Sequence, residues 1–222
     1  GITDNSKSIL KISGRRKFES LEDEVNSFAK KEIADNPGKS FFYGDMGVNM
    51  AARVMEVISK KSFEALMKQR IFTPLEMKNS GFSSDDGPVN PSGSAESTAL
   101  DYMNFLSMIL NKGMYKGKRV LSEKAIEEMQ KVQTKNLTKK FTPQLAEGYE
   151  YGLGEWIQEQ DENGNSTIIS CPGLFGTWPY IDKCRGYACI IFVKKAMNEE
   201  RKDIYLKLKE KVDEQVKGSN CN

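Results

Sequence analysis

The chain has 222 residues, 38% of them hydrophobic and 29% charged, which suits one domain of moderate size or one lobe of a larger one. Lys and Arg total 33 against 31 for Asp and Glu, and this net charge of +2 gives no reason to expect nucleic acid or an anionic membrane as a partner. There is no histidine, which excludes Ser-His-Asp and Cys-His catalysis within the chain, and no apolar run approaches the roughly 20 residues that span a bilayer.

The first part of the chain predicts helices. Residues 20–33 have Ser20 as N-cap, acidic residues in the first turn, and Leu21, Val25 and Phe28 on one face. From Gly47 onwards, apolar residues recur at helical spacing and predict a well-buried helix; these residues are Val48, Ala51, Val54, Met55, Val57 and Ile58. A further helix is predicted from Ser62 to the residues before Pro74.

The middle of the chain predicts a loop and two more helices. Residues 83–97 are rich in turn formers and indicate a surface loop. Thr98 then caps a helix that ends near Gly113, and Ser122 caps the next one. The apolar positions of these two helices are Leu100, Met103, Leu106 and Leu110 in the first, and Ile126, Met129 and Val132 in the second.

After Gly148 the pattern changes to strands. Residues 149–158 and 166–170 form one predicted hairpin around an Asn-Gly turn, and residues 174–182 and 186–194 form another. A closing helix at about residues 199–217 bears Ile204, Leu208, Val212 and Val216.

This order of elements predicts an α+β fold. We expect one domain over residues 1–222, with a mainly helical lobe at 20–133 and antiparallel strands plus the terminal helix at 149–217. At least three antiparallel strands should come from residues 149–193, with the terminal helix packed on one face of their sheet.

The four cysteines indicate neither a metal site nor a disulfide. Cys171, Cys184, Cys189 and Cys221 show no CxxC spacing, and without histidine a zinc site has only cysteines and carboxylates to draw on. A Cys184–Cys189 disulfide is disfavoured by the predicted turn at Arg185-Gly186. We expect four reduced thiols and no cofactor.

Four passages carry a family resemblance. They are FFYGDMGVNMAARVMEVISKKSFEALMKQRIFTPLEMKNSGF, PSGSAESTALDYMNFLSMILNKGMYKGKRVLSEKAIEEM, YGLGEWI and SCPGLFGTWPYIDKCRGYACIIFVK. In this order they resemble the serine β-lactamase and penicillin-binding-protein superfamily, in its class C and esterase-like branch, over roughly residues 37 to 195. The resemblance implies a β-lactamase/transpeptidase-like fold and acyl transfer from a β-lactam, a D-Ala-D-Ala peptide or an ester.

The family's nucleophile segment does not stand out in the chain. In the family, the serine of a Ser-x-x-Lys helical turn gives its proton to the lysine, because i and i+3 share a face. Ser8–Lys11 and Ser27–Lys30 match this pattern formally, but neither resembles the buried nucleophile helix. The resemblance therefore implies a fold that is incomplete at the N-terminus, with an exposed sheet edge and apolar face.

Two other site positions follow from the resemblance. Tyr43 falls on the family's catalytic tyrosine, whereas Asp45 replaces its asparagine with a group that can only accept hydrogen bonds. The alternative interpretation is that Tyr43 packs and Asp45 simply starts a helix.

The third site segment is Cys171, Gly173 and Leu174. Cys171 replaces the family's Lys or His, the group that holds a substrate carboxylate. Gly173 is kept, and the N–H of Leu174 corresponds to a donor of the oxyanion hole. Without a histidine to activate it, Cys171 is not expected to act as nucleophile. We expect Tyr43 and the strand after Cys171 to face one cleft.

The resulting expectation is a β-lactamase-related serine hydrolase that gives no turnover as this chain, because nucleophile and base are absent. The alternative is a non-catalytic ligand-binding or scaffold protein that uses the cleft near Tyr43, Trp178 and Tyr180. Either would bind a small molecule or peptide, and a second copy or a separate N-terminal fragment could complete the sheet. The resemblance implies an exported or periplasmic protein, although no signal peptide is present in the sequence.

Overall fold

The computed structural model describes residues 18–33, 35–83, 87–173, 175–193 and 202–216. Its helices are α1 (Leu21–Phe28), α2 (Asp45–Ser59), α3 (Phe63–Met67), α4 (Ala99–Leu110), α5 (Glu123–Met129) and α6 (Lys202–Asp213). Its strands are β1 (Ser40–Phe42), β2 (Gly81–Phe82), β3 (Ala95–Glu96), β4 (Met114–Tyr115), β5 (Lys118–Arg119), β6 (Thr138–Phe141), β7 (Glu150–Tyr151), β8 (Trp156–Gln160), β9 (Ser166–Ser170), β10 (Trp178–Asp182) and β11 (Tyr187–Ile191). A π-helical turn, Lys68–Phe72, continues α3, and a short 3₁₀ turn covers Gln144–Ala146. Within the described residues, no helix is both long enough and apolar enough to cross a bilayer.

The chain divides into two compact units. The first contains Gly1–Thr98 with Asn136–Thr142, and the second contains Ala99–Lys135 with Pro143–Asn222. The helices that the sequence predicted as one lobe over 20–133 are shared between these units, since α4 and α5 are grouped with the sheet.

Local capping sets the helix starts of the first unit. The Asp23 N–H donates to Ser20 Oγ (3.0 Å) at the start of α1, and the Ala65 N–H donates to Ser62 Oγ (3.2 Å) at the start of α3. Leu21, Ala52 and Phe63 form the core where α1, α2 and α3 meet. The predicted cap at Ser20 and the predicted helix start at Ser62 are confirmed.

The prediction of a well-buried apolar face on α2 is wrong. The buried residues of α2 are Met46, Asn49 and Ala52. Its exposed large side chains are Val48, Val54, Met55, Val57 and Ile58, with exposed fractions from 42% to 78%. Helical spacing of apolar residues identifies a helix, but the face that is covered depends on where α1 and α3 pack, which the spacing does not contain.

A short parallel pair completes the first unit. Ser40 of β1 pairs with Thr138 of β6, and beyond the pair the Tyr43 N–H donates to Phe141 O (3.1 Å). The rings of Phe42 and Phe141 lie 5.1 Å apart. This pairing brings residues 136–142 into the first unit, and the sequence did not predict it.

The second unit holds a five-stranded antiparallel sheet in the order β11-β10-β9-β8-β7. The antiparallel sheet expected from residues 149–193 is confirmed. The strand predicted at 149–158 is in fact two strands, because the Gly152 N–H donates to Glu155 O (2.9 Å) and reverses the chain between β7 and β8. The Asn-Gly turn is confirmed by Gly164, whose φ of 82° suits glycine.

The terminal helix packs on one face of this sheet, as predicted. Tyr205 of α6 stacks on Trp178 with ring centroids 4.7 Å apart, and Leu145 and Tyr180 belong to the same core. Lys209 Nζ lies 3.2 Å from Asp182 Oδ2, an oxygen of a fully buried side chain. Side chains alternate along a strand, so the neighbours Pro179 and Ile181 point to the opposite face.

The expectation of four reduced thiols is wrong. Cys184, in the turn between β10 and β11, is disulfide-bonded. Cys171 and Cys189 are free, so the predicted absence of a Cys184–Cys189 bond is confirmed. Disulfide pairing depends on distances in the folded chain, and cysteine spacing in the sequence does not give them.

Candidate functional site

Tyr43 and Asp45 lie between β1 and α2 in the first unit. Tyr43 is half-buried and its amide is held by Phe141 O, as described above. Asp45 is exposed and is the first residue of α2, where a negative charge is favoured by the helix dipole. Asp45 therefore begins a helix, and Tyr43 lies two residues before it.

The Ser27–Lys30 match to the nucleophile pattern does not form a catalytic turn. Ser27 Oγ donates to Glu24 O (2.6 Å) inside α1, so the hydroxyl is engaged in its own helix. Lys30 lies beyond the last residue of α1, and it is exposed. The other match, Ser8–Lys11, lies outside the described residues.

Cys171 and Gly173 follow β9 in the second unit. The Cys171 N–H donates to Pro179 O (3.4 Å), and the Gly173 N–H donates to Thr177 O (2.7 Å). The amide of Gly173 is thus used within the turn that leads to β10. Leu174, the position that corresponds to an oxyanion donor in the family, lies outside the described residues.

Trp178 and Tyr180 do not offer a surface for a ligand. Each is only 2% exposed, and both belong to the core beneath Tyr205 of α6. The interpretation that placed them in a binding cleft is therefore wrong. Their aromatic rings stabilise the packing of α6, and strand alternation determines which side of the sheet they face.

Glu155 is a candidate site residue that the sequence analysis missed. Burial raises the pKa of its carboxyl group to about 7, although the nearby charge of Lys183 acts in the opposite direction. Its Oε1 is buried and receives no hydrogen bond from a described residue. The signal was present in the sequence, since YGLGEWI carries a glutamate that the family passage YGLGW lacks.

Cys171 is held as a neutral thiol. The residue is exposed, but desolvation by the surrounding protein groups, with the carboxyl group of Glu155 as second cause, raises the pKa of the thiol to about 11. Desolvation also raises the pKa of Tyr102 of α4, and Cys171 and Glu155 contribute to that rise. A thiol protonated at neutral pH is a poor nucleophile.

The predicted site residues therefore fall into two groups. Tyr43 and Asp45 belong to the first unit, whereas Cys171, Gly173 and the newly found Glu155 belong to the second. Among the residues that the structure describes, no group of three or more cysteine or acidic side chains could hold a metal ion.

The β-lactamase family model matches residues 12–211. The chain belongs to the β-lactamase family. A comparison with curated proteins gives no match.

Solved structures give this β-lactamase-family chain the same fold. A protein of Bacteroides dorei assigned as a β-lactamase is 28% identical, with a TM-score of 0.70 over 85% of this chain. The β-lactamase/D-alanine carboxypeptidase of Yersinia pestis, solved with citrate, is 16% identical, with a TM-score of 0.70 over 97% of this chain. The octameric penicillin-binding protein homologue of Pyrococcus abyssi is 17% identical, with a TM-score of 0.65 over 88% of this chain. The chain spans 63%, 65% and 48% of the lengths of these three proteins, respectively.

Proposed function

We propose that the chain binds acyl compounds of the kinds implied by its family, namely a β-lactam, a D-Ala-D-Ala peptide or an ester, and that residues 1–222 alone do not hydrolyse them. The resemblance makes Tyr43 in the first unit and the segment Cys171–Gly173 in the second unit the candidates for contact with a ligand. The family membership supports the class of ligand, and the hydrogen bond of Ser27 within α1 supports the absence of turnover.

The observation that carries the proposal is the hydrogen bond of Ser27. Acyl transfer of this type needs a serine oxygen beside a lysine or an equivalent base, together with backbone donors for the developing oxyanion. Ser27 Oγ instead donates to a carbonyl of α1, and Lys30 lies outside that helix. Cys171, with its raised thiol pKa, does not replace the serine.

The test combines turnover, adduct formation and binding. Hydrolysis of a chromogenic cephalosporin and of a nitrophenyl ester should stay at the rate of buffer. Intact mass should not change after incubation with a penicillin or a fluorophosphonate, because nucleophile and base act as a unit and the loss of both removes catalysis. The same penicillin should raise the melting temperature if it binds the folded state.

Two results would contradict this proposal. A stoichiometric adduct on Ser8, Ser27 or Cys171 would show that the chain has its own nucleophile, and Ser27→Ala and Cys171→Ser would then locate it. A melting temperature that does not respond to any of the three acyl classes would show that acyl compounds are not its ligands.

A non-catalytic binding or scaffold role is the second candidate. It is favoured by the neutral thiol at Cys171, which offers neither the charge nor the nucleophile that acyl transfer requires. The intact mass of the endogenous protein separates the two. A natural chain with an additional Ser-x-x-Lys segment favours the hydrolase, and one without it favours the binding protein.

A further inference from the structure

Glu155 and Cys171 are neighbours at one end of the sheet in the second unit. Trp156 of β8 pairs with Ser170 of β9 in an antiparallel register. One step further along both strands brings Glu155 opposite Cys171, and residues that are opposite in an antiparallel pair have Cβ atoms about 5 Å apart on the same face. The carboxyl group of Glu155 is also close enough to Cys171 to act electrostatically on its thiol.

Tyr102 and Lys183 interact electrostatically with this pair. Tyr102 of α4 is close enough for Cys171 and Glu155 to contribute to the rise of its pKa. Lys183 is the cation that acts on Glu155, but its Nζ donates to Gln130 Oε1 (3.0 Å) and Ser166 Oγ (2.9 Å). Burial also lowers the pKa of Lys183. At Cys171, burial and the charge of Glu155 are the causes that act on the thiol, and the negative charge of Glu155 disfavours the thiolate.

Glu155 has hydrogen-bonding capacity that the described residues do not use. Its buried Oε1 receives no hydrogen bond from them, and a buried acceptor without a donor is unfavourable. A thiol is a weak donor, so Cys171 does little to satisfy it. Because Cys171 is exposed, solvent and small molecules reach this end of the sheet.

We propose that Glu155 and Cys171, with Tyr102 beside them, form an acidic subsite that accepts a cationic or N–H-donating group of a ligand and disfavours a carboxylate. An ammonium or amide N–H that approaches the carboxyl group of Glu155 would be attracted by its negative charge. A ligand carboxylate would meet a like charge at short range. This inference rests on the proposed function and specifies its ligand: an acyl compound with an amine or amide near this end of the sheet.

The charge of the subsite can be measured without any acyl ligand, from the rates at which the Cys171 thiol reacts with charged reagents. Aminoethyl methanethiosulfonate is cationic and sulfonatoethyl methanethiosulfonate is anionic, and both form a mixed disulfide with the thiolate while methanesulfinate leaves. The rate at Cys171 is followed by mass spectrometry of its peptide, which separates it from Cys189. The rate ratio of the cationic to the anionic reagent is divided by the ratio that the same reagents give with 2-mercaptoethanol, and at about pH 8.5, well above the Glu155 pKa, this normalised ratio should be about ten.

Two variants and a change of pH serve as controls for this measurement. Glu155→Gln should reduce the rate ratio to about twofold or less, because the charge is removed while the shape is kept. Glu159→Gln, in the same strand and exposed, should leave the ratio unchanged. In the unmodified chain the ratio should also fall when the pH is lowered to about 6, where the carboxyl group takes up its proton. A wild-type ratio near one, or a high ratio that persists in Glu155→Gln and at low pH, would overturn the proposal.

A matched pair of acyl probes connects the subsite to the proposed function. N-phenylacetyl-ethylenediamine (cationic) should bind about tenfold more tightly than N-phenylacetyl-glycine (anionic) by calorimetry, and Glu155→Gln should remove the difference. If both probes bind equally and the thiol rate ratio does not depend on Glu155, the acidic subsite is contradicted, whereas the binding of acyl compounds is confirmed. If the thiol ratio depends on Glu155 but neither probe binds, acyl binding fails while the acidic character of the subsite is confirmed.

Discussion

The carboxyl group of Glu155 titrates differently in the folded and unfolded chain. Its ordinary pKa is 4.5, and burial raises the folded value to about 7. Between these values the folded protein binds the proton more tightly than the unfolded chain does. The contribution of Glu155 to stability is therefore fully present below about pH 4.5 and is lost as the pH rises through about 7.

Glu155→Gln should remove this pH dependence. Relative to the wild type, the variant should gain about 3 kcal/mol of unfolding free energy between about pH 4.5 and pH 8, since one pKa unit corresponds to about 1.4 kcal/mol. Urea unfolding at a series of pH values measures the difference. Glu159→Gln is the matched control, and its unfolding free energy should depend on pH in the same way as that of the wild type. A constant difference between Glu155→Gln and the wild type across the pH range would contradict the prediction.

At the scale of single elements, α2 shows that apolar residues at helical spacing can predict a buried face that the structure leaves exposed. Asn49 is fully buried and carries two long-range bonds: it donates to Glu24 Oε1 (3.2 Å) and accepts from the Ser92 N–H (3.1 Å). A polar residue thus lies on the covered side of α2, and the larger apolar residues lie on the side that is exposed.

Ile58→Lys should therefore be nearly neutral for the stability of the chain. Ile58 is 78% exposed, so replacing it should change the unfolding free energy by about 0.5 kcal/mol or less. Ala52→Lys, on the covered face of the same helix, should cost about 3 kcal/mol or more, because it places a charge in the core. Chemical unfolding of the two variants side by side makes the comparison. A large loss in Ile58→Lys would mean that another part of the chain covers this side chain.

Helix α6 is held to the sheet by a buried ion cluster as well as by aromatic packing. Lys209 Nζ lies 2.8 Å from Asp213 Oδ2, and Arg185 Nη1 lies 2.8 Å from Asp182 Oδ2. Burial by itself raises the pKa of Asp182, but hydrogen bonds from Arg185 and Lys209 outweigh it and hold the pKa below its ordinary value. The carboxylate of Asp182 is therefore stable only with these partners in place.

Lys209→Ala should destabilise the chain by about 2 to 4 kcal/mol, because it leaves a buried carboxylate short of one partner. The matched control is Lys207→Ala in the same helix, which removes an exposed pair with Asp203 (3.5 Å) and should cost about 0.5 kcal/mol or less. Thermal or urea unfolding of both variants gives the result. Equal losses in the two would show that the buried cluster adds nothing specific.

At the scale of the whole molecule, the candidate site residues belong to two compact units. The chain leaves the first unit after Thr98, returns to it for residues 136–142, and ends in the second. The return depends on the parallel pairing of β1 with β6 directly before Tyr43. Tyr43 and Cys171 thus belong to different units, and their shared role in ligand binding stays a prediction.

Single variants test each candidate residue by itself. Tyr43→Phe and Cys171→Ser should each weaken the binding of N-phenylacetyl-ethylenediamine by about 0.5 kcal/mol or more, because each removes one polar group that is proposed to contact the ligand. Calorimetric binding provides the affinities. Cys189→Ser is the control and should leave the affinity unchanged. An unchanged affinity in Tyr43→Phe or in Cys171→Ser would contradict the assignment of that residue.

The sequence by itself determined the features that depend on neighbouring residues. The helix starts at Ser20, Ser62 and Ser122 and the hairpin turn at Gly164 follow from bonds that span three or four residues, so the local sequence contains the necessary information. The α+β class followed from the order of these elements. The family resemblance added Tyr43 and Cys171 as candidates.

Only the tertiary structure decided which surfaces are covered and which groups meet. The exposed face of α2, the burial of Trp178 under α6 and the disulfide of Cys184 each depend on residues that are distant in sequence or on the packing of other elements. Glu155 is the clearest case: its carboxyl group has a pKa near 7 only because folding buries it at the end of β8 opposite Cys171. Desolvation depends on the whole surrounding structure, and no local pattern of residues contains it.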